Sequence, residues 1–332
     1  MEEAAKNAAQ AEMLYNRVQK RFRHLKKWAK RTGNEVFRLY DRDIPEIPLV
    51  LDWYGGAVSG ALYRRPYQKD AAEEALWTAR MRDAAARALD ISPDRIYLKE
   101  RRRQQGRAQY QKFSGAAISR HIREGGLLFQ ANLSDYLDTG LFPDRRLLRN
   151  RVREEAKGKR ILNLFCYTAV CSVYAARGGA AEVDSVDISN TYLAWGAENF
   201  ALNGLRAQWI GPPGASPPLP YRLIRMDALR FIHEARQKRS RWDIIILDPP
   251  AFSNSKKMRG SLDIKRDHQD LIGQCLGLIA DGGILYFSAP PRHFRLSLET
   301  FPQAAVRDIT GQIRDEDFRG KKIPPCYQIS LP

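Results

Sequence analysis

An aspartate followed by two prolines and then, after one residue, a phenylalanine is the most chemically specific pattern in this 332-residue sequence. Consecutive prolines fix the backbone, so the Asp248 carboxylate and nearby carbonyl groups can face the polar edge of a planar base. Phe252 can then stack on that base, as aromatic side chains do on unstacked nucleobases. A plain strand-ending turn is the structural alternative. We predict a catalytic site formed by Asp248, Pro249, Pro250 and Phe252.

Acidic residues also stand at the ends of two earlier apolar runs. Asp187 ends the run EVDSVD, and Asp227 follows YRLIR. One carboxylate can accept hydrogen bonds from both ribose hydroxyls, and a second acid can meet an adenine amino group. The chain has no GxGxxG motif for a pyrophosphate, so we predict S-adenosylmethionine, a nucleoside without phosphate, as cofactor rather than a dinucleotide. The predicted cofactor contacts are Asn163, Phe165, Cys166, Tyr167, Thr168, Asp187, Ile188, Asp227, Ala228 and Asp248.

The elements that must position these residues alternate between strands and helices after Gly158. Apolar strands are expected at RILNLF, AEVDSVDIS, YRLIRMD, WDIIILDPP and ILYFS, with helices between them. Near-continuous apolar strands in this order predict a doubly wound, Rossmann-like parallel sheet, whose ligand lies outside the carboxyl ends of the strands. A Pro-rich stretch, WIGPPGASPPLP, can be neither helix nor central strand.

The N-terminal part has a different pattern. Short β-type runs flank an Ala-rich helix that is expected from about Gln68 to Leu89, which indicates a smaller α+β domain. We predict a flexible leader over residues 1–12 and a basic helix plus an α+β RNA-binding domain over 13–130. A connecting strap over 131–158 and a class I methyltransferase domain over 159–332 complete the chain.

The chain is strongly basic, with 55 Lys and Arg against 38 Asp and Glu and a net charge of +17. Residues 17–31 carry eight basic side chains and no acid, around an apolar stripe of Leu14, Val18, Phe22, Leu25 and Ala29 at helical spacing. A solvated helix face is the plain alternative. A second run, residues 95–123, carries nine basic side chains and one acid. Two such basic runs favour a polyanionic partner: RNA, DNA or an acidic membrane. The cations and the tyrosine predicted to bind RNA are Arg17, Lys20, Arg21, Lys27, Arg101, Arg102, Arg103, Tyr110, Lys256, Lys257 and Arg259.

Several classes of protein are disfavoured by composition. The purest apolar run, at residues 244–247, is four residues long, far below the roughly 18–20 that a membrane-spanning helix needs. The four cysteines lack CxxC spacing, and the five histidines lack metal-ligand spacing, so we predict free thiols and no metal site. With no apolar signal sequence, a cytoplasmic location without a membrane partner is expected.

Several segments resemble the bacterial guanine-N7 methyltransferases of large-subunit (23S) ribosomal RNA, which occur alone or as the C-terminal half of fused K/L proteins. The resembling segments are LNLFCYTAV, VDSVDIS, MDAL, LDPPAFSNSKKM, IKRDH, DYLDTGLFPDRR, NRVQKRFRHLKKWAKRTG and LKERRRQQGRAQYQK. The resemblance spans about residues 13–330, and DPPAFSNSKKM is its most specific part. The chain departs from the family at Ala169, where a glycine is usual, and at Ala289, which follows the last predicted strand.

The resemblance implies methylation of guanine N7 in 23S rRNA, with S-adenosylhomocysteine as the second product. It implies rRNA or a pre-50S particle as partner, together with a second rRNA methyltransferase module, fused or separate. It also implies that Asp138, Asp144 and Arg145 lie near the cofactor or the substrate.

Guanine N7 carries an in-plane lone pair and needs no deprotonation, so catalysis would be mostly alignment. We expect Asp248 to accept hydrogen bonds from guanine N1–H or N2–H. Cytosine-C5 methylation is disfavoured because the residues after the last strand, Phe287-Ser288-Ala289, provide no cysteine nucleophile. Methylation of adenine N6 or cytosine N4 in RNA or DNA stays an alternative, as does a catalytically weak rRNA-binding homologue.

Overall fold

The structure is a computed structural model. It describes residues 2–63, 70–101, 118–136, 138–210, 219–253, 262–290, 294–297 and 301–332. The chain divides into two compact units, Met1–Pro143 and Asp144–Pro332. The division falls inside the stretch that was expected to be a connecting strap. Within the described residues, no helix combines the length and apolarity needed to cross a lipid bilayer.

The first unit begins with helix α1 (Glu2–Thr32), and its apolar stripe is buried as predicted. Leu14, Val18 and Leu25 are fully buried and Ala29 nearly so, while Phe22 packs against the same core from a partly buried position. Apolar residues at spacings of three and four share one helix face. The cations of α1 therefore occupy the remaining faces.

The start of α1 corrects the expectation of a flexible leader over residues 1–12. The helix already begins at Glu2 and continues through this stretch. Asn7 and Gln10 are buried, and Gln10 Oε1 accepts a 2.7 Å hydrogen bond from Trp77 Nε1. A fully buried tryptophan needs a partner for its indole N–H, and the first turns of α1 supply it.

The first unit contains a four-stranded sheet and a hairpin. The strands are β1 (Val36–Asp41), β2 (Leu49–Tyr54), β3 (Val58–Tyr63) and β4 (Ile96–Arg101), paired in that order. Helix α2 (Ala71–Leu89) makes the crossover that allows β3 and β4 to pair in parallel. β5 (Ser119–Glu124) and β6 (Leu127–Asn132) form an antiparallel hairpin that turns at Gly125 and Gly126. The predicted α+β architecture is confirmed.

The second unit alternates strands and helices. Its elements are α3 (Arg146–Glu155), β7 (Arg160–Leu164), α4 (Val170–Arg177), β8 (Glu182–Asp187), α5 (Asn190–Leu202), β9 (Gln208–Ile210), β10 (Tyr221–Arg225), α6 (Ala228–Gln237), β11 (Trp242–Leu247), β12 (Phe252–Ser253), β13 (Leu262–Asp263), α7 (Ile264–Leu276), β14 (Ile279–Ser288), β15 (Ala305–Asp308) and β16 (Cys326–Ser330). Eight of these strands form one sheet in the order β15-β16-β14-β11-β7-β8-β10-β9.

The parallel centre of this sheet confirms the predicted Rossmann-like fold. β14, β11, β7, β8 and β10 run in the same direction, so their carboxyl ends share one edge. β7, β8, β11 and the second half of β14 are buried on both faces, with the core running through Leu162, Ile245 and Leu285. Residues that follow β7, β8, β10 and β11 are thereby placed along one edge of the sheet.

Two features of the sheet differ from the sequence expectation. The short strand β9 at the start of the Pro-rich stretch does not, because it lies at the edge of the sheet rather than at its centre. β14 starts at Ile279, ahead of the expected strand ILYFS, and its pairing with β11 shifts register between Trp242 and Ile244. β15 and β16 add an antiparallel edge, in which Cys326 pairs with Ser288 at the end of β14.

Candidate active site

The loop after β7 has an unusual backbone. Phe165, Tyr167 and Ala169 have φ angles of 56°, 53° and 55°, the left-handed region that non-glycine residues rarely adopt. Each costs about 1–2 kcal/mol. The loop is held by hydrogen bonds from Cys166 N to Val186 O (3.0 Å) and from Ala169 N to Cys166 O (2.8 Å). Such concentrated strain, supported by its surroundings, is typical of ligand-binding loops.

Asp187, the last residue of β8, ties this loop to the next strand. Its Oδ2 accepts a 3.0 Å hydrogen bond from Tyr167 N, and its Oδ1 accepts a 2.9 Å bond from Ser189 N. Burial raises the pKa of Asp187 to about 6, although backbone hydrogen bonds from Ser189, Tyr167 and Ile188 work in the opposite direction. The carboxylate still has acceptor capacity beyond these bonds.

The environment of Asp187 fits the nucleoside part of S-adenosylmethionine. Because burial disfavours the charged form, a ligand that donates hydrogen bonds to it compensates for the lost water. A ribose diol offers two such donors. The Tyr167 ring beside this carboxylate packs edge-on to Tyr192, with ring centroids 4.4 Å apart, and lies 6.5 Å from Trp195.

Two predicted cofactor residues instead support the loop from within. Asn163 is buried, and its amide Nδ2 donates a 2.9 Å hydrogen bond to Ser172 Oγ, which also contacts Ser185 Oγ at 2.8 Å. Thr168 is fully buried, and its carbonyl accepts a 2.8 Å bond from Asn199 Nδ2. Both side chains lie in the interior of the fold, so their place corrects the expectation of direct contact.

Cys166, Ile188 and Ala228 also fall at the predicted edge. Burial, and secondarily the Asp187 charge, raise the pKa of the Cys166 thiol well above its usual value, which keeps the thiol neutral. Ile188 is half-buried after the end of β8, and Ala228 is buried in the first turn of α6. These three side chains contribute shape rather than charge.

Asp227 caps helix α6. Its Oδ1 accepts a 3.0 Å hydrogen bond from Arg230 N, which satisfies one of the free N–H groups of the first helical turn. The neighbouring Met226 N donates to Asp187 O at 3.1 Å and so joins the ends of β10 and β8. Asp227 is therefore at the expected strand end, with one oxygen engaged in the cap.

Asp248, directly after β11, is held by Arg145. Arg145 Nε donates to Asp248 Oδ2 at 3.1 Å, and Arg145 Nη2 donates to Asp248 Oδ1 at 3.2 Å. Arg145 Nη1 also reaches the carbonyl of Pro324 at 3.4 Å. The arginine side chain is 8% exposed, whereas that of Asp248 is 32% exposed. The pair thus presents a fixed carboxylate with one side open.

The residues after Asp248 complete this corner. Pro249 is buried and Pro250 half-buried, so they anchor the turn. Phe252 pairs with Asp263 in the short β12–β13 ribbon and exposes 48% of its surface. A large aromatic side chain that is exposed at the surface is available for stacking.

The residues predicted to bind RNA have mixed outcomes. Lys20 and Lys27 are exposed on α1 and Arg21 is half-buried, whereas Arg17 Nε is engaged by Asp43 Oδ2 at 2.6 Å. The Arg101 side chain and the following residues lie outside the described part of the chain: Arg102, Arg103, Tyr110, Lys256, Lys257 and Arg259.

The resemblance placed two further acids near the cofactor or substrate. Asp138 belongs to the first unit, where burial lowers the pKa of Lys99 to about 8 and the charges of Asp138 and Asp135 partly offset that effect. Asp144 belongs to the second unit, half-buried beside Arg145. Among the described residues, no cluster of His, Cys, Asp and Glu side chains has the arrangement of a metal site.

Sequence reasoning missed Ser189, Tyr192 and Trp195. Ser189 caps α5 through a 3.3 Å bond from Tyr192 N, and its own N–H binds Asp187. Their signal was present, because a serine two residues after the strand-end acid and aromatics three residues apart indicate a capped helix with one aromatic face.

A parallel sheet with a strained loop after its first strand and an acid ending its second defines a Rossmann-like S-adenosylmethionine-dependent methyltransferase. Residues 35–290 match the S-adenosylmethionine-dependent methyltransferase family. Ribosomal RNA large subunit methyltransferase K of Neisseria meningitidis is 45% identical over 95% of this chain and 86% of its own length. This chain therefore belongs to the S-adenosylmethionine-dependent methyltransferases, in the family of ribosomal RNA large subunit methyltransferase K.

A second relative is similar in sequence, and a solved structure is similar in fold. The K/L protein of Pseudomonas paraeruginosa is 41% identical over 99% of this chain, which spans 43% of that longer relative. The crystal structure of SMU.776, a methyltransferase complexed with S-adenosylhomocysteine, shares the fold with a TM-score of 0.70 at 23% identity, covering 98% of this chain and 82% of SMU.776.

Proposed function

We propose that this protein methylates N7 of a guanine in 23S ribosomal RNA. The relatives of 41–45% identity are named for the RNA of the large ribosomal subunit, which supports the substrate class. The observation that carries the choice of N7 is the two-bond pairing of Arg145 with Asp248 beside the exposed ring of Phe252.

S-adenosylmethionine supplies the methyl group. On the protein side, Asp187 would accept hydrogen bonds from the ribose, and the free oxygen of Asp227 would serve the adenine amino group. Tyr167 and Tyr192 would form an apolar wall beside them. The strained loop after β7 holds these groups in place before binding, which reduces the ordering that binding requires.

Asp248 would select guanine by its Watson–Crick edge. An arginine only donates hydrogen bonds, so the paired Asp248 oxygens act as acceptors. Guanine presents two adjacent donors, N1–H and N2–H, whereas adenine presents an acceptor, N1, beside its amino donor. Phe252 would stack on the base, and N7, on the opposite edge of the ring, would be left for the reaction.

The same pair disfavours amino-group methylation. An exocyclic amine must lose a proton when it is methylated, so it needs a proton acceptor nearby. Both Asp248 oxygens already accept hydrogen bonds from Arg145. Guanine N7 loses no proton, so the arrangement suits alignment rather than base catalysis.

The partners belong to the same proposal. The substrate would be 23S rRNA or a pre-50S particle, in the cytoplasm, and a second rRNA methyltransferase module would act alongside, fused or separate. The K/L relative, which is more than twice as long as the part this chain matches, motivates that last point.

Nucleoside analysis tests the proposed chemistry. Unmodified 23S rRNA is incubated with the protein and isotopically labelled cofactor, digested to nucleosides and analysed by mass spectrometry. Label in 7-methylguanosine is expected. Label in N6-methyladenosine or N4-methylcytidine would assign the amino-methylating alternative, and cofactor binding without any labelled nucleoside would assign the catalytically weak homologue.

A further inference from the structure

A basic groove lies in the second unit, away from the residues assigned to the cofactor. It has a volume of about 550 Å³ and is lined by Arg295, Arg314, Lys322, Thr310, Pro325 and Tyr327, among others. The three cations are exposed. Three converging cations, a hydroxyl and an aromatic ring are the chemistry that binds a nucleic acid backbone.

The groove lies at the substrate side of the sheet edge. β14 and β16 form one side of the sheet and β8 and β10 the other, with β11 and β7 between them. Phe294 and Tyr327 of the groove pack on Phe287 near the end of β14, with ring centroids 5.7 and 6.4 Å away. The groove therefore flanks Asp248 on the side opposite to Asp187.

A short chain of contacts joins the groove to the catalytic corner. Pro325 lines the groove, and the carbonyl of its neighbour Pro324 accepts a hydrogen bond from Arg145 Nη1. Arg145 in turn holds Asp248. A strand whose base sits at Asp248 would reach the groove with its adjacent nucleotides.

The cations of the groove have no internal structural role. Among the described residues, none of Arg295, Arg314 and Lys322 forms an ion pair. The groove contains one acid, Asp308, whose Oδ1 accepts a 2.8 Å bond from Thr310 N and shapes the turn. The remaining charge of the lining is positive, which concentrates anions there.

We propose that this groove binds the phosphates of the RNA nucleotides that flank the target base. Arg295, Arg314 and Lys322 contact phosphate oxygens, and Tyr327 offers a ring edge to a neighbouring nucleotide. The exposed position of the cations suits a backbone that passes along the surface rather than a small anion, which buried donors would enclose. This proposal rests on the proposed action on RNA.

The test compares two double variants. Arg314→Gln/Lys322→Gln removes two groove charges. Arg177→Gln/Lys238→Gln removes two exposed charges at the C-terminal ends of α4 and α6, near the opposite edge of the sheet. RNA affinity of each protein is measured from 50 to 300 mM salt. Each single-strand phosphate contact contributes about 0.7 to the slope of log affinity against log salt. The groove variant loses two contacts, so its slope should be smaller by about 1.4.

The expected result includes an unchanged slope for the control variant and an unchanged affinity for S-adenosylmethionine in both. Arg314→Lys/Lys322→Arg should keep the wild-type slope, because phosphate binding in the groove depends on the charge of these side chains rather than on their shape. An equal slope for the groove variant and the wild type would overturn the proposal, as would equal losses in the two double variants. If the wild type binds RNA but produces no 7-methylguanosine, the proposed function fails while the groove assignment stands.

Discussion

Arg145 and Asp248 lie 103 positions apart in the chain, yet their side chains form a single two-bond unit. Arg145 is buried and Asp248 partly open, so the arginine sets the direction in which the carboxylate faces. Arg145 contacts no reacting atom in this account and is a positioning residue. Its contribution is measurable because lysine keeps the charge but loses the planar two-bond geometry.

The Arg145→Lys variant should lower kcat about 100-fold, the usual effect of misplacing a reacting group by about 1 Å. Asp248→Asn should cost at least as much, because its amide offers a donor where guanine also donates. Steady-state kinetics on 23S rRNA measures both effects, with cofactor affinity from calorimetry as the control. Wild-type kcat in Arg145→Lys would show that the pair has no positioning role.

The raised pKa of Asp187 predicts that cofactor affinity depends on pH. Its pKa is raised to about 6 by burial, and the charged form is the better acceptor for the ribose hydroxyls. S-adenosylmethionine affinity should therefore rise as pH increases from 5 to 7 and then level off. In Asp187→Asn the affinity should be weaker and independent of pH over this range. Calorimetry at four pH values separates the outcomes, and an unchanged pH profile in the variant would assign the titration to another group.

The raised pKa of Asp187 also makes the stability of the folded protein depend on pH. Because the folded pKa is above the ordinary 3.8, protonated Asp187 favours the folded state. The contribution is fully present below pH 3.8 and is lost as pH rises through about 6. Bound cofactor should reverse this trend, since it stabilises the charged form.

The acids at the carboxyl ends of strands could be identified from the sequence, because their positions depend only on the order of the strands in the chain. Asp187, Asp227 and Asp248 were predicted correctly at one sheet edge, because parallel strands bring their carboxyl ends together. Asn163 was placed in the site, but its amide is used inside the fold. A strand pattern does not show which of its polar side chains faces inward. The contact between Arg145 and Asp248 could not be predicted either, because no local pattern indicates a partner 103 residues away.

At the scale of elements, the loop after β7 is matched to helix α5. Ala169 is fully buried with a left-handed backbone, and a Cβ added at Gly196 would lie 3.0 Å from the Ala169 Cβ. The missing side chain at Gly196 therefore provides the space that the Ala169 methyl group needs. The strained loop has little freedom to move aside.

A double-mutant cycle tests this match. Gly196→Ala alone should destabilise the protein by about 1 kcal/mol, because overpacking outweighs the helix-propensity gain. In the Ala169→Gly background the same change should stabilise by about 0.5–1 kcal/mol. Chemical denaturation measures the coupling between the two positions, expected at about 1.5–2 kcal/mol. Additive effects would mean that the two positions do not share space.

The antiparallel edge of the sheet was not predicted, for a physical reason. β16 reads Cys-Tyr-Gln-Ile-Ser, and β15 is exposed along its whole length. Neither strand has the continuous apolar character of the parallel centre, since each packs on few neighbours. Their existence depends on pairing with β14, which is a tertiary contact and leaves no period in the sequence.

At the scale of the whole molecule, the basic residues that give the net charge of +17 are unevenly distributed. Exposed cations such as Lys20 and Lys27 lie on α1, while the residues proposed to hold the ribose and the adenine in the second unit, Asp187 and Asp227, are acidic. Phosphate contacts would then give affinity without sequence information, and the corner at Asp248 would select the base.

This division predicts two different salt responses. RNA affinity should fall steeply between 50 and 200 mM salt, by about 10³-fold if six phosphates are contacted. S-adenosylmethionine affinity should change by less than about 2-fold, because its site relies on short-range hydrogen bonds. Lys20→Gln/Lys27→Gln should reduce the RNA slope and leave cofactor affinity unchanged. An RNA complex that is insensitive to salt would contradict the role given to the cations.

The central claim is that guanine N7 receives the methyl group, and atomic replacement of N7 tests it most directly. A 23S rRNA transcript with 7-deazaguanosine has a C–H group where N7 was and keeps the Watson–Crick edge that Asp248 would recognise. We predict that this transcript binds the protein but accepts no labelled methyl group, whereas a matched transcript with 7-deazaadenosine is methylated normally. Methyl transfer to the 7-deazaguanosine transcript at the rate of ordinary RNA would contradict the account.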